Sequence, residues 1–204
     1  MNKSVIVQFF ILVAFVITFY FFALADTVEN TLIKMETSKG SVYLELYDDK
    51  APLSVTNFLA YANEGFYNGT VFHRVISDYV IQGGGYTESL VEKPTKPPIK
   101  NEANNGLKNL KGTIAMARLP DPHSATAQFF INVQDNPKLN HTGKQTNKSW
   151  GYAVFGQVVQ GMDVIDKIRH TNTVGKMPFS QDVPINNIVI KSVTVIDQLP
   201  VVAE

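Results

Sequence analysis

The chain has 204 residues, 45% of them hydrophobic and 18% charged, which is enough apolar material for one globular domain with a real core. Eighteen basic residues balance eighteen acidic ones, so bulk charge gives no support to a nucleic-acid partner. Cysteine is absent, which excludes disulfides and thiolate chemistry.

Val5 to Phe22 forms an apolar run of 18 residues, VIVQFFILVAFVITFYFF, behind a lone charge at Lys3. Ala23-Leu24-Ala25 follows and fits a small-x-small cleavage pattern, so residues 1–25 read as a secretory signal peptide. The run is also long enough to span a bilayer. Residues 5–22 would then be a membrane anchor if the cut is not made. Residues 26–31 read as a linker, 32–197 as one domain and 198–204 as a C-terminal tail.

Most of the domain reads as strand. Leu32–Thr37 and Ser41–Tyr47 flank Ser38-Lys39-Gly40, a turn with glycine where a positive φ is wanted. Val42, Leu44 and Leu46 share one face of the second strand, and Tyr43, Glu45 and Tyr47 the other. A helix follows, opened by Pro52 and stopped by Gly65, with Val55, Phe58, Leu59 and Ala62 on one apolar face. Further strands are expected at Thr70–Ile76, Tyr79–Gln82, Thr113–Ala117, Gln128–Val133, Ala153–Val158 and Ile188–Ile196. A second helix at Met162–His170 carries Asp163 in its first turn and Lys167, Arg169 and His170 in its last, which suits the helix dipole. Eight strands and two helices predict an all-β fold: a closed eight-stranded antiparallel barrel capped by two α-helices. Two polar stretches, 84–112 and 135–149, read as long loops.

The usual catalytic signatures are missing. Four scattered histidines lack ligand spacing, so no metal is expected. The glycines at 83–85 precede no crossover helix and do not make a dinucleotide fingerprint. No GxSxG occurs. No cofactor is implied. The strand period instead collects Arg74, Gln82, Gln128, Phe130 and Val80 on outward faces, with Phe72 expected beside Arg74. Such a groove, apolar with a few placed polar groups, has the makeup of a ligand site. Each of these residues, taken singly, is more often core or solvated surface. Period and spacing therefore stop at an all-β domain with a candidate peptide groove.

FHRVISDYVIQGGGYT at 72–87, GTIAMAR at 112–118, SATAQFFINV at 124–133 and YAVFGQVVQGMDVI at 152–165 resemble the cyclophilin family of peptidyl-prolyl isomerases, most nearly its bacterial periplasmic branch. The resemblance runs from about Thr31 to Asp197. It implies the barrel with two helices, and an enzyme that accelerates X–Pro rotation during folding of exported proteins. Its partners would be proline-containing polypeptides, its location the periplasm (or the inner membrane, facing the periplasm, if the anchor is kept), and its state a monomer. Position by position, Arg74 matches the family's catalytic arginine and Gln82 the glutamine beside it. Tyr79 and Val80 match walls of the proline pocket. Ala117 and Arg118 lie where the family holds substrate backbone. Gln128, Phe130 and Leu139 match further groove residues, and Tyr152 stands where many eukaryotic members have histidine.

No bond breaks in such a reaction, so no nucleophile is needed. A guanidinium over the prolyl nitrogen would stabilise the twisted amide more than the planar one. Gln82 is expected to orient Arg74, and His73 to be structural. Lys138 replaces the tryptophan of cyclosporin-binding members, so weak cyclosporin binding is expected. A non-catalytic peptide-binding module or holdase using the same groove is the alternative.

Overall fold

The computed structural model of the protein describes residues 30–201. The signal-peptide and anchor readings, most of the linker and the last residues of the tail lie outside them. The elements run β1 (Leu32–Thr37), β2 (Gly40–Leu46), α1 (Pro52–Asn63), β3 (Thr70–Val71), β4 (Arg74–Val75), β5 (Val80–Gly83), β6 (Thr113–Met116), β7 (Phe129–Asn132), a 3-10 turn (Pro137–Leu139), β8 (Val154–Gln160), α2 (Met162–Arg169), β9 (Thr173–Lys176), β10 (Phe179–Pro184) and β11 (Val189–Ile196).

All but β9 and β10 form one antiparallel sheet in the order β3-β11-β1-β2-β8-β6-β7-β5-β4. The expected closed eight-stranded barrel is corrected in one respect. The sheet has nine strands, and its end strands β3 and β4 do not pair with each other. They are consecutive in the chain, joined through Phe72-His73, so the covalent backbone completes the ring. The expected single strand Thr70–Ile76 is broken at those two residues. The break resets the alternation, and Phe72 does not share a face with Arg74 after all. Phe72 turns into the core, edge-on to Phe129 at 6.1 Å.

Alternation holds where a strand buries one face. Ile33 and Met35 of β1 and Val42, Leu44 and Leu46 of β2 are fully buried, while their neighbours face outward. The inner set joins Ile81, Ile114, Phe129, Ile131, Phe155 and Ile190 in the main core. Strands β6 and β7 are buried throughout. Their second face is covered by the groove residues and the long loop.

Helix α1 begins at Pro52 without a side-chain cap of its own. Its free amides are taken up at long range. Leu53 and Ser54 donate their backbone N–H groups to the two Glu102 carboxylate oxygens at 3.0 and 2.8 Å. An anion at a helix N-terminus complements the dipole, and here it fastens the long loop to the helix. The helix ends at Glu64 and Gly65, whose φ of 67° suits glycine. Its buried face is Val55, Phe58, Tyr61 and Ala62. Tyr61 was not expected there, and Leu59 is only partly buried. Phe58 meets Tyr67, Phe129 and Phe155 at 5.0–5.7 Å between ring centres. Helix α2 buries Val164, Ile165 and Ile168.

Asparagines explain how a loop of low apolar content stays ordered. Asn101 donates to the Pro122 and Gly151 carbonyls, Asn105 to Val154, and Asn109 to Leu139. Asn132 of β7, fully buried, donates to Asn109 and Thr113 and accepts from Asn136. Buried amides must be paired in this way to be tolerated. The β9–β10 hairpin had no counterpart in the sequence reading, because TVGKMPFSQDVP shows neither alternation nor a recognisable two-residue turn.

Candidate active site

Registers across the sheet build the site. Arg74 of β4 is opposite Gln82 of β5, Gln82 opposite Phe130 of β7, Phe130 opposite Ala115 of β6, and Ala115 opposite Val154 of β8. Residues directly opposite share a face, so one lateral row runs from a cation through an amide to a phenyl ring and two small apolar groups. The row faces outward, away from the main core. Val80, Ala115, Ala117, Phe130, Leu139 and Val154 form a separate apolar cluster, with Tyr79 and Tyr152 packed against it.

That cluster lines a concavity of about 180 Å³ bounded by Arg74, Tyr79, Val80, Gln82, Ala117, Arg118, Phe130, Leu139 and Tyr152. Nine of the ten expected site residues therefore meet around one cavity. The tenth, Gln128, lines an adjoining concavity of about 450 Å³ that shares Arg74, Gln82, Ala117 and Arg118 with the first. Phe130 and Tyr152 stand edge to face at 5.5 Å. The Tyr152 N–H donates to the Leu139 carbonyl at 2.9 Å, which ties two walls together. Burial, followed by the neighbouring Tyr152, raises the Tyr79 phenol above its ordinary value, with Arg74 opposing, so its hydroxyl is neutral at physiological pH.

Three polar residues of the site make contacts that the strand period does not show. Gln82 Nε2 donates to the side-chain Oε1 of Gln128 at 3.0 Å, and Gln128 Nε2 donates on to Glu92 at 3.4 Å. The amide chain thus runs away from Arg74, and the expected Gln82–Arg74 orientation is replaced by a Gln82–Gln128–Glu92 relay. Arg118 lays its guanidinium over the Tyr152 ring at 4.6 Å. Its N–H groups donate to the carbonyls of Gly151, Leu119 and Asn147 at 2.8–3.0 Å. It braces the pocket wall and is not a free charge in the groove. Arg74 is ion-paired instead with Asp182 of β10, Nε to Oδ2 3.6 Å. Asp182 and Glu92 were missed by sequence reasoning. Both reach the site from segments without periodicity, and no local signal marks them.

The triple glycine is steric. A Cβ on Gly84, whose φ is 82°, would come within 2.7 Å of the Phe129 ring, and one on Gly85 would collide with the Gln128 side chain. Only glycine lets the strand end pass the ring and leave Gln128 in the groove.

His73 is structural, as expected. It is buried, stacked on Phe179 at 5.2 Å and tilted on Tyr86 at 4.6 Å. Its Nδ1 has no hydrogen-bond partner among the described residues. Burial lowers its pKa to about 4 from 6.5; the Val71 backbone opposes the shift and the Arg74 charge assists it. The unfolded chain therefore binds the proton first. Stability is full above pH ~6.5 and falls by roughly 3 kcal/mol as pH drops to ~4. Urea titrations at pH 7 and 4.5 should show this loss, and His73→Phe should reduce it by most of that amount. An unchanged pH slope in the variant would contradict the assignment.

The family model described as cyclophilin type peptidyl-prolyl cis-trans isomerase/CLD matches residues 32–195. Peptidyl-prolyl cis-trans isomerase B of Escherichia coli is 56% identical over 164 residues, 80% of this chain and 99% of that protein. Peptidyl-prolyl cis-trans isomerase cyp18 of Streptomyces antibioticus is also 56% identical, over 80% of this chain and 98% of its own length. Among solved structures, a Cryptosporidium parvum cyclophilin type peptidyl-prolyl cis-trans isomerase shares the fold at a TM-score of 0.67 and 24% identity, covering 83% of this chain and 99% of that one. The same protein was solved in the presence of the dipeptide Ala-Pro at a TM-score of 0.66, 24% identical over 82% of this chain and 99% of that one. With the family model spanning 32–195 and relatives 56% identical along nearly their whole length, the chain belongs to the cyclophilin-type peptidyl-prolyl cis-trans isomerases.

Proposed function

We propose that the chain accelerates X–Pro rotation in exported polypeptides, with Arg74 as the catalytic donor and the 180 Å³ notch as the seat of the proline ring. The observation that carries this reading is the lateral row Arg74–Gln82–Phe130, which sets a cation beside a concavity walled by Val80, Phe130 and Leu139.

Peptide-bond rotation faces a barrier of about 18–20 kcal/mol. The two X–Pro isomers differ by only ~0.5–1 kcal/mol, so both are populated and exchange is slow, in ~10–100 s. A turnover near ~10³ s⁻¹ requires the barrier to fall by roughly 6–7 kcal/mol. Resonance holds the bond planar. When the bond twists, the nitrogen lone pair is released and becomes a hydrogen-bond acceptor. The Arg74 guanidinium donates to it more strongly than to the planar amide. Tyr79, Val80, Phe130, Leu139 and Tyr152 grip the ring and exclude the water that favours the charge-separated planar form. Gln128 and the backbone at Ala117–Arg118 hold the flanking peptide, and Gln82 is held against Gln128 as part of that wall. The test follows cis-to-trans conversion of a short Ala-Pro peptide by the full chain and by Arg74→Ala. Undiminished catalysis in the variant would refute the role.

The protein acts as a monomer beyond the cytoplasmic membrane. The apolar run 5–22 and the Ala23-Leu24-Ala25 site support export, with cleavage before Asp26 releasing the domain to the periplasm. Terminal sequencing of the exported protein should begin at Asp26; a mature form starting at Met1 would mean retention as a membrane anchor. Lys138, exposed on the 3-10 turn beside Leu139, puts a solvated ammonium where cyclosporin-binding members offer an indole. Calorimetric titration with cyclosporin should give a dissociation constant above ~1 μM, the tryptophan's contact being absent. Sub-micromolar binding would contradict this.

A further inference from the structure

We propose that Asp182 is a positioning residue for Arg74, and that the bulge in β10 is what delivers it. The inference rests on the reading of Arg74 as the catalytic donor. Three independent observations meet at this residue.

The first is register. In the β9–β10 hairpin Phe179 is opposite Lys176 and Val183 opposite Val174, so three residues of β10 span the space of one in β9. Bulges of this kind re-aim side chains beside functional sites. Here Ser180, Gln181 and Asp182 stand against the single Gly175, an excess of two residues. The second is backbone conformation. Asp182 has φ 66°, a left-handed value that is uncommon outside glycine, although Asp and Asn tolerate it best. Such a residue persists only where its surroundings hold it. The third is contact. The Asp182 carboxylate lies 3.6 Å from the Arg74 Nε and is its only anionic partner among the described residues.

The hairpin is built to hold that contact. Phe179 stacks on His73, the residue before Arg74, and meets Tyr86 edge to face at 4.9 Å. Val183, next to Asp182, is buried with Val71 and Leu90. Gly175 faces the bulge, and a Cβ there would collide with the Ser180 carbonyl oxygen. Asp182 is thus fixed on both sides, while the Arg74 side chain is 39% exposed and long. An unheld arginine spreads over many rotamers. An anion on its Nε edge restricts them and leaves the opposite edge of the fork for the substrate. Positioning of this kind acts on turnover more than on substrate affinity.

The experiment uses the full chain with Asp182→Asn and Asp182→Gly. Asn keeps both the shape and the tolerance of positive φ, and Gly adopts that φ freely, so each removes the charge without forcing the hairpin to refold. Both should lower kcat about two- to fivefold, the range of a partly exposed ion pair, with KM and Tm nearly unchanged. The Arg74 Nε–Hε order parameter measured by NMR should fall in both. In an Arg74→Ala background the same substitutions should have no further effect. Unchanged kcat with an unchanged order parameter would overturn the inference. So would an activity loss of equal size with and without Arg74. If Arg74→Ala alone proves fully active, the catalytic reading itself fails, which is a separate and recognisable result.

Discussion

Arg74→Ala should lower kcat/KM for an Ala-Pro peptide by about 10²–10³-fold, the usual effect of removing one preorganised donor from a transition state. Fold stability should hardly change. Arg74 is partly exposed, and its ion pair with Asp182 is partly open to water, so it contributes no more than ~1 kcal/mol to folding. The loss should fall mainly in kcat, since the interaction strengthens as the amide twists and is weak in the planar ground state. Arg74→Lys distinguishes charge from geometry. An ammonium keeps the charge but is a point donor without the planar fork and is strongly hydrated. The lysine variant should therefore remain well below the wild type, recovering less than half of the lost activation free energy. Coupled-protease or direct NMR exchange measurements give both constants. If alanine leaves kcat intact, the apolar notch alone carries the rate and the donor mechanism is wrong.

The parts of this site that were legible in the sequence are those set by the strand period. Val80 and Gln82 alternate with Ile81, and Phe130 alternates with Phe129 and Ile131, so sidedness along β5 and β7 follows from spacing alone. The family resemblance then placed Arg74 and Leu139, which periodicity could not rank. What stayed hidden depends on register between strands or on irregular backbone. Phe72 was assigned to the wrong face because two residues of non-strand backbone interrupt β3 and β4. Gln82 was expected to touch Arg74, its direct cross-strand partner, yet its amide turns to Gln128. Asp182 was invisible because a bulge in a polar hairpin, not a repeat, brings it to Arg74. Such contacts between segments distant in sequence are chosen by the curled sheet as a whole. A local window carries no trace of them.

Phe130→Ala should damage stability and activity together, whereas Phe129→Ala should damage stability alone. The two rings are adjacent in β7 and equally buried, at 4% and 0% exposure, but they serve opposite faces. Phe129 lies in the main core against Phe58, Tyr67 and Phe72. Its loss leaves a closed cavity among large rings, and a cost of about 3–5 kcal/mol is expected. Phe130 belongs to the groove cluster and packs on Tyr152 at the cavity wall. Its cavity opens to solvent and relaxes more easily, so a cost near the lower end, about 3 kcal/mol, is expected. The effect on catalysis separates them. Removing the Phe130 ring takes away an apolar contact worth roughly 1.5–3 kcal/mol to a buried proline, or about 10–100-fold in kcat/KM. Tyr152 also loses its edge-to-face partner, so the pocket loses shape as well as area. Phe130→Leu should restore most of the stability and only part of the activity, because it fills volume without the flat ring. Kinetics per folded molecule, at a temperature where urea titration shows all variants more than ~95% native, makes the comparison. A Phe130→Ala variant with wild-type kcat/KM would place the proline elsewhere, and the row that joins Arg74 to Phe130 would then be architecture alone.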